Sequence, residues 1–195
     1  MTVENFIISN LEDQIKTINQ LKKNKNIIEK IYLEIKNTRN NNNKIFIMGN
    51  GGSASTSSHF ASDLLKTSII KEAKRTKAIS LTDNIPVLMA WANDTSFENI
   101  FYSQLENFLE EEDLVIGISG SGNSENVIKA IEFANTKKAR TVCLLGKNGG
   151  KLAKISQLNL IISNNDMLTI ETMHLLICHL LTGLLRSEGT PLFSY

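Results

Sequence analysis

The stretch KIFIMGNGGSASTSSHF occupies residues 44–60 and decides the fold. It begins with an apolar run, Lys44–Met48, passes through a glycine-rich loop, Gly49–Ser53, and continues with helical periodicity. Glycines let a chain turn sharply after a strand, and the free N–H groups that open the next helix attract anions. We therefore predict a strand, an anion-binding loop and a helix, in that order.

A second segment repeats this arrangement. The apolar run Leu114–Ile118 leads into the loop SGSGNS, residues Ser119–Ser124, and another helical segment follows. Neither loop contains the lysine of a triphosphate-binding P-loop. Two hydroxyl-rich loops without that lysine favour a ligand with a single phosphate, such as a sugar phosphate. The alternative is that both are ordinary strand-to-helix turns.

Strand and helix patterns alternate along the rest of the chain. The predicted strands are Ile45–Met48, Ala78–Leu81, Leu114–Ile118, Thr141–Leu145 and Leu158–Ile162. The predicted helices are Ala54–Ser68, Ile85–Asn93, Ser124–Ala134 and Leu168–Arg186, with two more in Val3–Thr38 that separate near Lys23–Asn26. The stretch Asp94–Glu110 has an irregular pattern. Strands this uniformly apolar belong in a parallel sheet covered on both faces.

This pattern predicts a three-layer, doubly wound α/β domain with five parallel strands, in which ligands bind at the carboxyl ends of the strands. We expect one domain over residues 1–195. It comprises N-terminal helices (1–43), an α/β core (44–187) and a C-terminal tail (188–195).

Composition excludes several classes of function. The 21 basic and 20 acidic residues nearly balance, which argues against a nucleic-acid binder, since phosphate-backbone affinity needs clustered positive charge. Cys143 and Cys178 show no metal-ligand or redox spacing and are expected to be reduced core residues. We see no signal peptide and no apolar stretch that could span a bilayer, so we expect a cytoplasmic protein without a membrane partner.

A dinucleotide site is an alternative for the first loop. Gly49, Gly51 and Ala54 satisfy the loose pattern G-x-G-x-x-G/A, and Asp83 could be the acidic residue beyond the second strand. The spacing to Asp83 is long, and the second loop has no role in such a site. A nicotinamide enzyme is therefore the weaker interpretation.

Ionisable residues cluster on two predicted helices. His59 and Asp63 are four residues apart and share a helix face, while Glu171, His174 and His179 lie on the apolar closing helix. Imidazoles and carboxylates together can bind zinc or another divalent ion. Glu171 and His179 are about 12 Å apart along a helix, so they share an ion only if both reach inward or if different subunits contribute. The alternative for each histidine is a hydrogen-bonded residue at a packed interface.

In combination, these motifs resemble the sedoheptulose-7-phosphate isomerases, or phosphoheptose isomerases, of the sugar isomerase (SIS) domain superfamily. The matching segments are the two loops, HFA at 59–61, ND at 93–94, NVIKA at 126–130 and GKNGGK at 146–151. The resemblance implies a flavodoxin-like fold. It also implies conversion of sedoheptulose 7-phosphate to D-glycero-D-manno-heptose 7-phosphate, the first step toward nucleotide-activated heptose for lipopolysaccharide, capsule or other glycoconjugates. A homotetramer with active sites at subunit contacts and one zinc ion per subunit is implied as well.

The resemblance, together with the residue types at these positions, assigns roles to residues, and His59 and His179 match two metal ligands of the family. Asp63 and His179 are the expected acid/base pair. The expected metal ligands are His59, Asp63, Glu171 and His179. The expected substrate-binding residues are Asn50, Gly51, Gly52, Ser53, Asn93, Asp94, Ser119, Gly120, Ser121, Ser124 and Glu171, with Ser53, Ser119, Ser121 and Ser124 on the phosphate.

The chain departs from the family pattern at four positions. The family usually has Glu at position 63 and Gln at position 171, where this chain has Asp63 and Glu171. Thr67 stands where an arginine is common, and Leu168 stands where an aspartate is usual. The shorter Asp63 retracts the carboxylate by about 1.5 Å, a difference that matters for proton transfer.

The chemistry needs a base, an acid and a way to stabilise negative charge on an enediol. A carboxylate and a histidine from two helices fit this need. Two other functions stay open: a non-catalytic SIS adaptor that binds the bacterial replication initiator, and an isomerase or sensor for another phosphosugar. Retention of His59, Asp63 and His179 argues against the adaptor, because a polar cluster on an apolar helix is costly.

Overall fold

The structure is a computed structural model that describes residues 2–194. Two helices come first, α1 (Val3–Leu21) and α2 (Lys25–Asn40), separated by a 3₁₀ turn at Lys22–Asn24. Thr2 caps α1, since its Oγ1 accepts a hydrogen bond of 3.2 Å from the N–H of Asn5. The break between the two helices lies where the sequence predicts it.

The central sheet has five parallel strands. They are β1 (Lys44–Gly49), β2 (Lys77–Ser80), β3 (Leu114–Ser119), β4 (Arg140–Gly146) and β5 (Leu158–Ile162). Their order across the sheet is β2-β1-β3-β4-β5. The predicted five-stranded parallel sheet is confirmed.

Helices cover both faces of this sheet. The remaining helices are α3 (Gly52–Ser62), α4 (Ile85–Asp94), α5 (Tyr102–Phe108), α6 (Glu125–Thr136), α7 (Leu152–Ile155) and α8 (Met167–Arg186). In β1, Ile45 and Ile47 join the core beneath α2, α3 and α8, whereas Phe46 and Met48 join the core beneath α5 and α6. Each strand is thus buried on both faces, which is why its sequence is apolar without alternation.

The strand order reverses between β1 and β3, and this brings the two glycine loops together. The strands are neighbours, with Gly49 in register with Ile118. Both loops therefore leave the same edge of the sheet side by side. Ligands of open α/β sheets bind at such a switch point, outside the carboxyl ends of the strands.

Two helical segments differ from their predictions. The stretch expected to be irregular contains α5, which is held by buried Phe101 and Leu105 and by Gln104, whose Nε2 donates to the carbonyl of Leu81 (3.0 Å). The helix expected over Ala54–Ser68 stays α-helical only to Ser62 and then widens into a π-helix, Asp63–Thr67. Such turns often occur at functional sites.

The expectation that no stretch could span a bilayer needs correction. By length and composition alone, α8 is long and apolar enough to cross a membrane. Half of this apolar segment is buried inside the fold, where α8 packs on α1, α2, α3 and β4. Burial of this kind explains the apolar sequence of α8, since a helix in the core of an α/β protein must be apolar on its covered faces.

Candidate active site

The second loop gathers three hydroxyl groups at the start of α6. The Oγ of Ser119 lies 3.0 Å from that of Ser124 and 3.5 Å from that of Ser121. The N–H of Gly122 donates to Ser119 Oγ (3.1 Å), which closes the turn. Gly122 adopts a φ of 67°, and a side chain there would overlap the carbonyl of Gly149 in the third glycine loop. Hydroxyls, a helix N-terminus and a rigid turn together suit an oxyanion.

The first loop makes a similar turn into α3. Gly51 adopts a φ of 56°, a conformation that favours glycine. A Cβ on Gly49 would lie 2.7 Å from that of Ser53 and 2.9 Å from the carbonyl of Ile118, so the loop packs directly on β3. Ser53 is buried in the first turn of α3. The positive end of α3 therefore faces the same edge of the sheet as the second loop.

Two histidines and an aspartate meet at the other end of α3. The Nε2 atoms of His59 and His179 are 3.2 Å apart, and each is 3.8 Å from Asp63 Oδ2. The imidazole side chains are about half exposed, while the carboxylate of Asp63 is 13% exposed. The N–H of Ser68 donates to the carbonyl of Asp63 in the π-helical turn, which sets the backbone at this carboxylate. One ligand atom from each residue lies within 4.8 Å of the others, so the trio can hold a metal ion.

Glu171 lies outside this trio. Its carboxylate packs against Gly52, where a Cβ would lie 2.6 Å from its carboxyl carbon. Glu171 thus sits at the N-terminus of α3, and the trio lies at the other end of that helix. Within the part of the chain that the structure describes, Glu171 does not join His59, Asp63 and His179 around one point. Its place beside the first loop fits the predicted substrate contact better than the predicted metal ligand.

Asn93 and Asp94 are exposed at the end of α4. Asn93 Nδ2 donates to Asp94 Oδ1 (2.8 Å), and within residues 2–194 neither side chain has a hydrogen bond to a glycine loop or to the histidine trio. Their predicted role in substrate binding stays a prediction.

His174 is fully buried, as expected for a histidine at a packed interface, but it lacks the hydrogen bonds that this alternative also predicts. It packs in the core, where neither ring nitrogen has a hydrogen-bond partner of good geometry, although the ring lies beside the backbone of Leu145. Burial lowers the pKa of His174 to about 4 because the charged form is desolvated. His174 is therefore neutral near pH 7.

Comparison with known proteins now identifies the family. Residues 11–146 match the family described as SIS domain, which is more than half of the chain. The chain belongs to the SIS domain family. A phosphoheptose isomerase from Helicobacter pylori (strain P12) is 44% identical over 144 residues, which are 74% of this chain and 74% of that protein. A probable phosphoheptose isomerase from Thermoplasma volcanium is 36% identical over 184 residues, 93% of each chain.

Solved structures agree with this assignment. A phosphoheptose isomerase from Neisseria gonorrhoeae superposes with a TM-score of 0.88 at 26% identity, covering 95% of this chain and all of that one. A phosphoheptose isomerase from Francisella tularensis also gives 0.88, at 27% identity, covering 96% and 100%. The protein is an enzyme of the sugar-phosphate isomerase class. The dinucleotide-dependent enzyme and the non-catalytic adaptor, which the sequence alone leaves open, are not supported.

Two further features of the sequence can be located in this SIS domain: Asp83, proposed for a dinucleotide site, and Thr67, which stands where an arginine is common. Asp83, the possible ribose ligand, accepts a hydrogen bond from Ser58. Lys66, beside the position where an arginine is common, extends over the ring of Phe193, with its Nζ 5.2 Å from the ring centroid. The carbonyl of Thr67 accepts from Arg186 Nη1 (3.5 Å). The ammonium group of Lys66 thus lies against the C-terminal tail.

One residue of this SIS domain site has no role in the sequence analysis. Asn126, in the first turn of α6, is 2% exposed, and its amide pairs with that of Asn50 in the first loop. The only sequence signal is its position in the NVIKA segment. A lone asparagine there is indistinguishable from a helix-start residue without the tertiary contact.

Proposed function

We propose that this SIS-domain isomerase interconverts sedoheptulose 7-phosphate and D-glycero-D-manno-heptose 7-phosphate. The observation that carries the proposal is the arrangement of α3. Its N-terminus forms the first anion loop beside the hydroxyls of the second loop, and its other end carries His59 and Asp63 against His179. The names of the relatives support the same substrate.

The phosphate end of the substrate is assigned to the two loops. Ser53, Ser119, Ser121 and Ser124 donate hydrogen bonds to it, and the N-termini of α3 and α6 supply partial positive charge. This remote binding energy fixes the reacting carbons. Asn50 and Glu171, which flank the same loop, contact the sugar hydroxyls.

The reacting end is assigned to Asp63 and His179. Aldose–ketose exchange moves a proton between C1 and C2 through an enediol. Asp63 takes the carbon-bound proton, and His179 Nε2 exchanges a proton with the substrate oxygen. The hydrogen-bonded contact with His59 orients the imidazole of His179.

The distance between the two ends suits an open-chain sugar phosphate. Ser53 and His59 are six residues apart on α3, or about 9 Å along its axis. Five or six carbon–carbon bonds in an extended chain, each rising about 1.3 Å, span about 6 to 8 Å, and the phosphoester adds about 2 to 3 Å. Six-carbon and seven-carbon sugar phosphates therefore both reach from the anion loops to the trio, and the turnover experiment decides between them.

The trio also suits a divalent ion, which we propose to be zinc, one per subunit. Two ligands of tetrahedral zinc at about 2.0 Å lie about 3.3 Å from each other, close to the 3.2 Å between the histidine Nε2 atoms. Bound to the trio, such an ion would supply positive charge beside the reacting end of the substrate. The same Nε2 of His179 cannot bind an ion and a proton together, so we expect the ion to be structural or regulatory.

We further propose a cytoplasmic homotetramer that supplies heptose for lipopolysaccharide, capsule or another glycoconjugate. The exposed apolar side chains of α1 support an oligomer, and the half-exposed trio leaves room for residues of a neighbouring subunit. A tetramer would also let Glu171 approach a metal from another subunit.

The test is incubation of the purified protein with sedoheptulose 7-phosphate and detection of the aldoheptose phosphate. A matched reaction with a six-carbon ketose 6-phosphate tests chain length. We expect turnover of the heptulose phosphate at least about tenfold above the hexulose phosphate. Equal turnover of both, or turnover of the six-carbon substrate alone, would assign the protein to another phosphosugar.

A further inference from the structure

Asn50 and Asn126 form a reciprocal amide pair that joins the two anion loops. Asn50 Nδ2 donates to Asn126 Oδ1 (2.9 Å), and Asn126 Nδ2 donates to Asn50 Oδ1 (2.8 Å). The residues are 76 positions apart in the sequence. Asn50 belongs to the loop before α3, and Asn126 belongs to the first turn of α6.

The orientation of both amides follows from a third hydrogen bond. The N–H of Val127 donates to Asn126 Oδ1 (2.9 Å), and a backbone N–H can pair only with the amide oxygen. Asn126 must therefore direct its NH₂ toward the oxygen of Asn50. Asn126 is almost fully buried. A hydrogen bond is stronger in such a site than in water, and an amide that loses its partner there is more destabilising.

Among residues 2–194, this pair makes the only side-chain hydrogen bonds that join the first loop to the second loop and the first turn of α6. Below it, backbone pairing of β1 with β3 ends at Gly49 and Ile118. Beyond that point the loops diverge into α3 and α6, and the serines assigned to the phosphate lie on both sides. Above the end of the strand pairing, the amide pair ties the start of α3 directly to the start of α6.

We propose that the Asn50–Asn126 pair is a clamp that holds the two loops at the spacing of one phosphate group, and that Asn126 is a positioning residue that does not touch the substrate. The inference rests on the phosphate site of the proposed function. Hydrogen bonds from two loops add fully to the affinity for one anion only if the spacing of the loops is fixed before binding, because the entropy lost in ordering mobile loops weakens binding. A misplacement of about 1 Å can cost about a hundredfold in rate where a remote group orients the reaction.

The experiment is a double-mutant cycle on phosphate affinity. Calorimetry with inorganic phosphate is run on the wild type, Asn50→Ala, Asn126→Ala and the double variant. We expect each single variant to lose about tenfold in affinity and the double variant to lose no more than either single one, because the two amides act as one unit. Losses that multiply would show that the residues act separately, and would overturn the clamp. Wild-type affinity in Asn126→Ala would do the same.

Two further variants separate the clamp from general damage to the fold. Asn135→Ala removes a partly buried asparagine at the far end of the same helix, where it bonds the carbonyl of Ile155, and its phosphate affinity should equal that of the wild type. Asn126→Leu keeps the branched shape of the side chain and replaces Asn126→Ala in the cycle if the alanine variant does not fold, with the same expected loss of about tenfold. With substrate, either Asn126 variant should raise KM more than it lowers kcat.

The outcomes distinguish this inference from the function on which it rests. Coupled loss of phosphate affinity without turnover of sedoheptulose 7-phosphate would leave the clamp and refute the substrate. Turnover with independent losses would leave the substrate and refute the clamp. A wild type that binds neither inorganic phosphate nor a phosphosugar would refute both.

Discussion

His59 and His179 are 120 positions apart in the sequence, yet their Nε2 atoms are 3.2 Å apart and both face the carboxylate of Asp63. Two imidazole nitrogens at this separation share one hydrogen bond or one metal ion. The three side chains are therefore a single chemical unit, and their variants should behave as one.

Metal content tests this unit directly. We expect about one zinc per subunit in protein purified without chelator, and loss of most of it in His59→Ala, Asp63→Ala and His179→Ala. Glu171→Gln is the matched control, because its carboxylate lies at Gly52 and not among the trio. Elemental analysis by mass spectrometry measures the ratio. Zinc loss in Glu171→Gln would show that a ligand set built across subunits includes Glu171.

Catalysis should depend on Asp63 and His179. Either alanine variant should lower kcat with sedoheptulose 7-phosphate by about a hundredfold or more, with little change in thermal stability, because each removes a proton carrier from a partly open site. Asp63→Glu restores the residue usual in the family and should keep activity if the helix accommodates the extra methylene. Wild-type turnover in both alanine variants would refute the acid/base assignment.

Phosphate binding should depend on the serines of the second loop. In Ser121→Ala we expect KM to rise more than kcat falls, since the hydroxyl serves ground state and transition state alike. The triple variant Ser119→Ala/Ser121→Ala/Ser124→Ala should lose most of its affinity for inorganic phosphate. Ser156→Ala removes a serine that bonds the carbonyl of Leu152 at the end of α7, and serves as the control. Unchanged affinity in the triple variant would refute this site.

His174 should make the fold acid-sensitive. Its pKa is lowered to about 4 in the folded chain, from an ordinary 6.5, so the unfolded chain binds a proton first as the pH falls. Stability is full above pH 6.5 and is lost progressively toward pH 4, by about 3 kcal/mol from this group. In His174→Leu we expect a flatter acid limb in urea unfolding between these pH values. Met173→Leu, a buried neighbour, is the control and should keep the steep limb.

The apolar stripe of α1 should hold subunits together. Ile7, Leu11 and Ile15 are spaced by four residues, lie on one face and are each more than half exposed. We expect a tetramer in sedimentation experiments on the wild type and smaller species in Leu11→Glu, because a charge in an apolar contact is costly. Glu12→Lys changes an exposed charge beside the stripe and should leave the assembly intact. A monomeric wild type at micromolar concentration would contradict the tetramer.

Much of the fold and part of the site follow from the sequence. Apolar runs that alternate with helical periodicity specify a parallel sheet with two covered faces, because both sides of each strand must be buried. The glycines of Gly49–Gly52 and the hydroxyls of Ser119–Ser124 identify anion loops, because glycine permits the sharp turn and each hydroxyl is a hydrogen-bond donor whatever the rest of the fold. The four-residue spacing of His59 and Asp63 likewise predicts that the two side chains share one face of a helix.

Only the tertiary structure decides which of these groups meet. The order β2-β1-β3-β4-β5 makes β1 and β3 neighbours, and so brings Asn50 to Asn126 and one anion loop to the other. The packing of α8 along α3 places His179 at the trio and Glu171 at the opposite end, two helical turns away. Local sequence sets the period of a helix or strand, but strand order and the depth at which two helices pack depend on contacts between residues far apart in the chain, and no short segment encodes them.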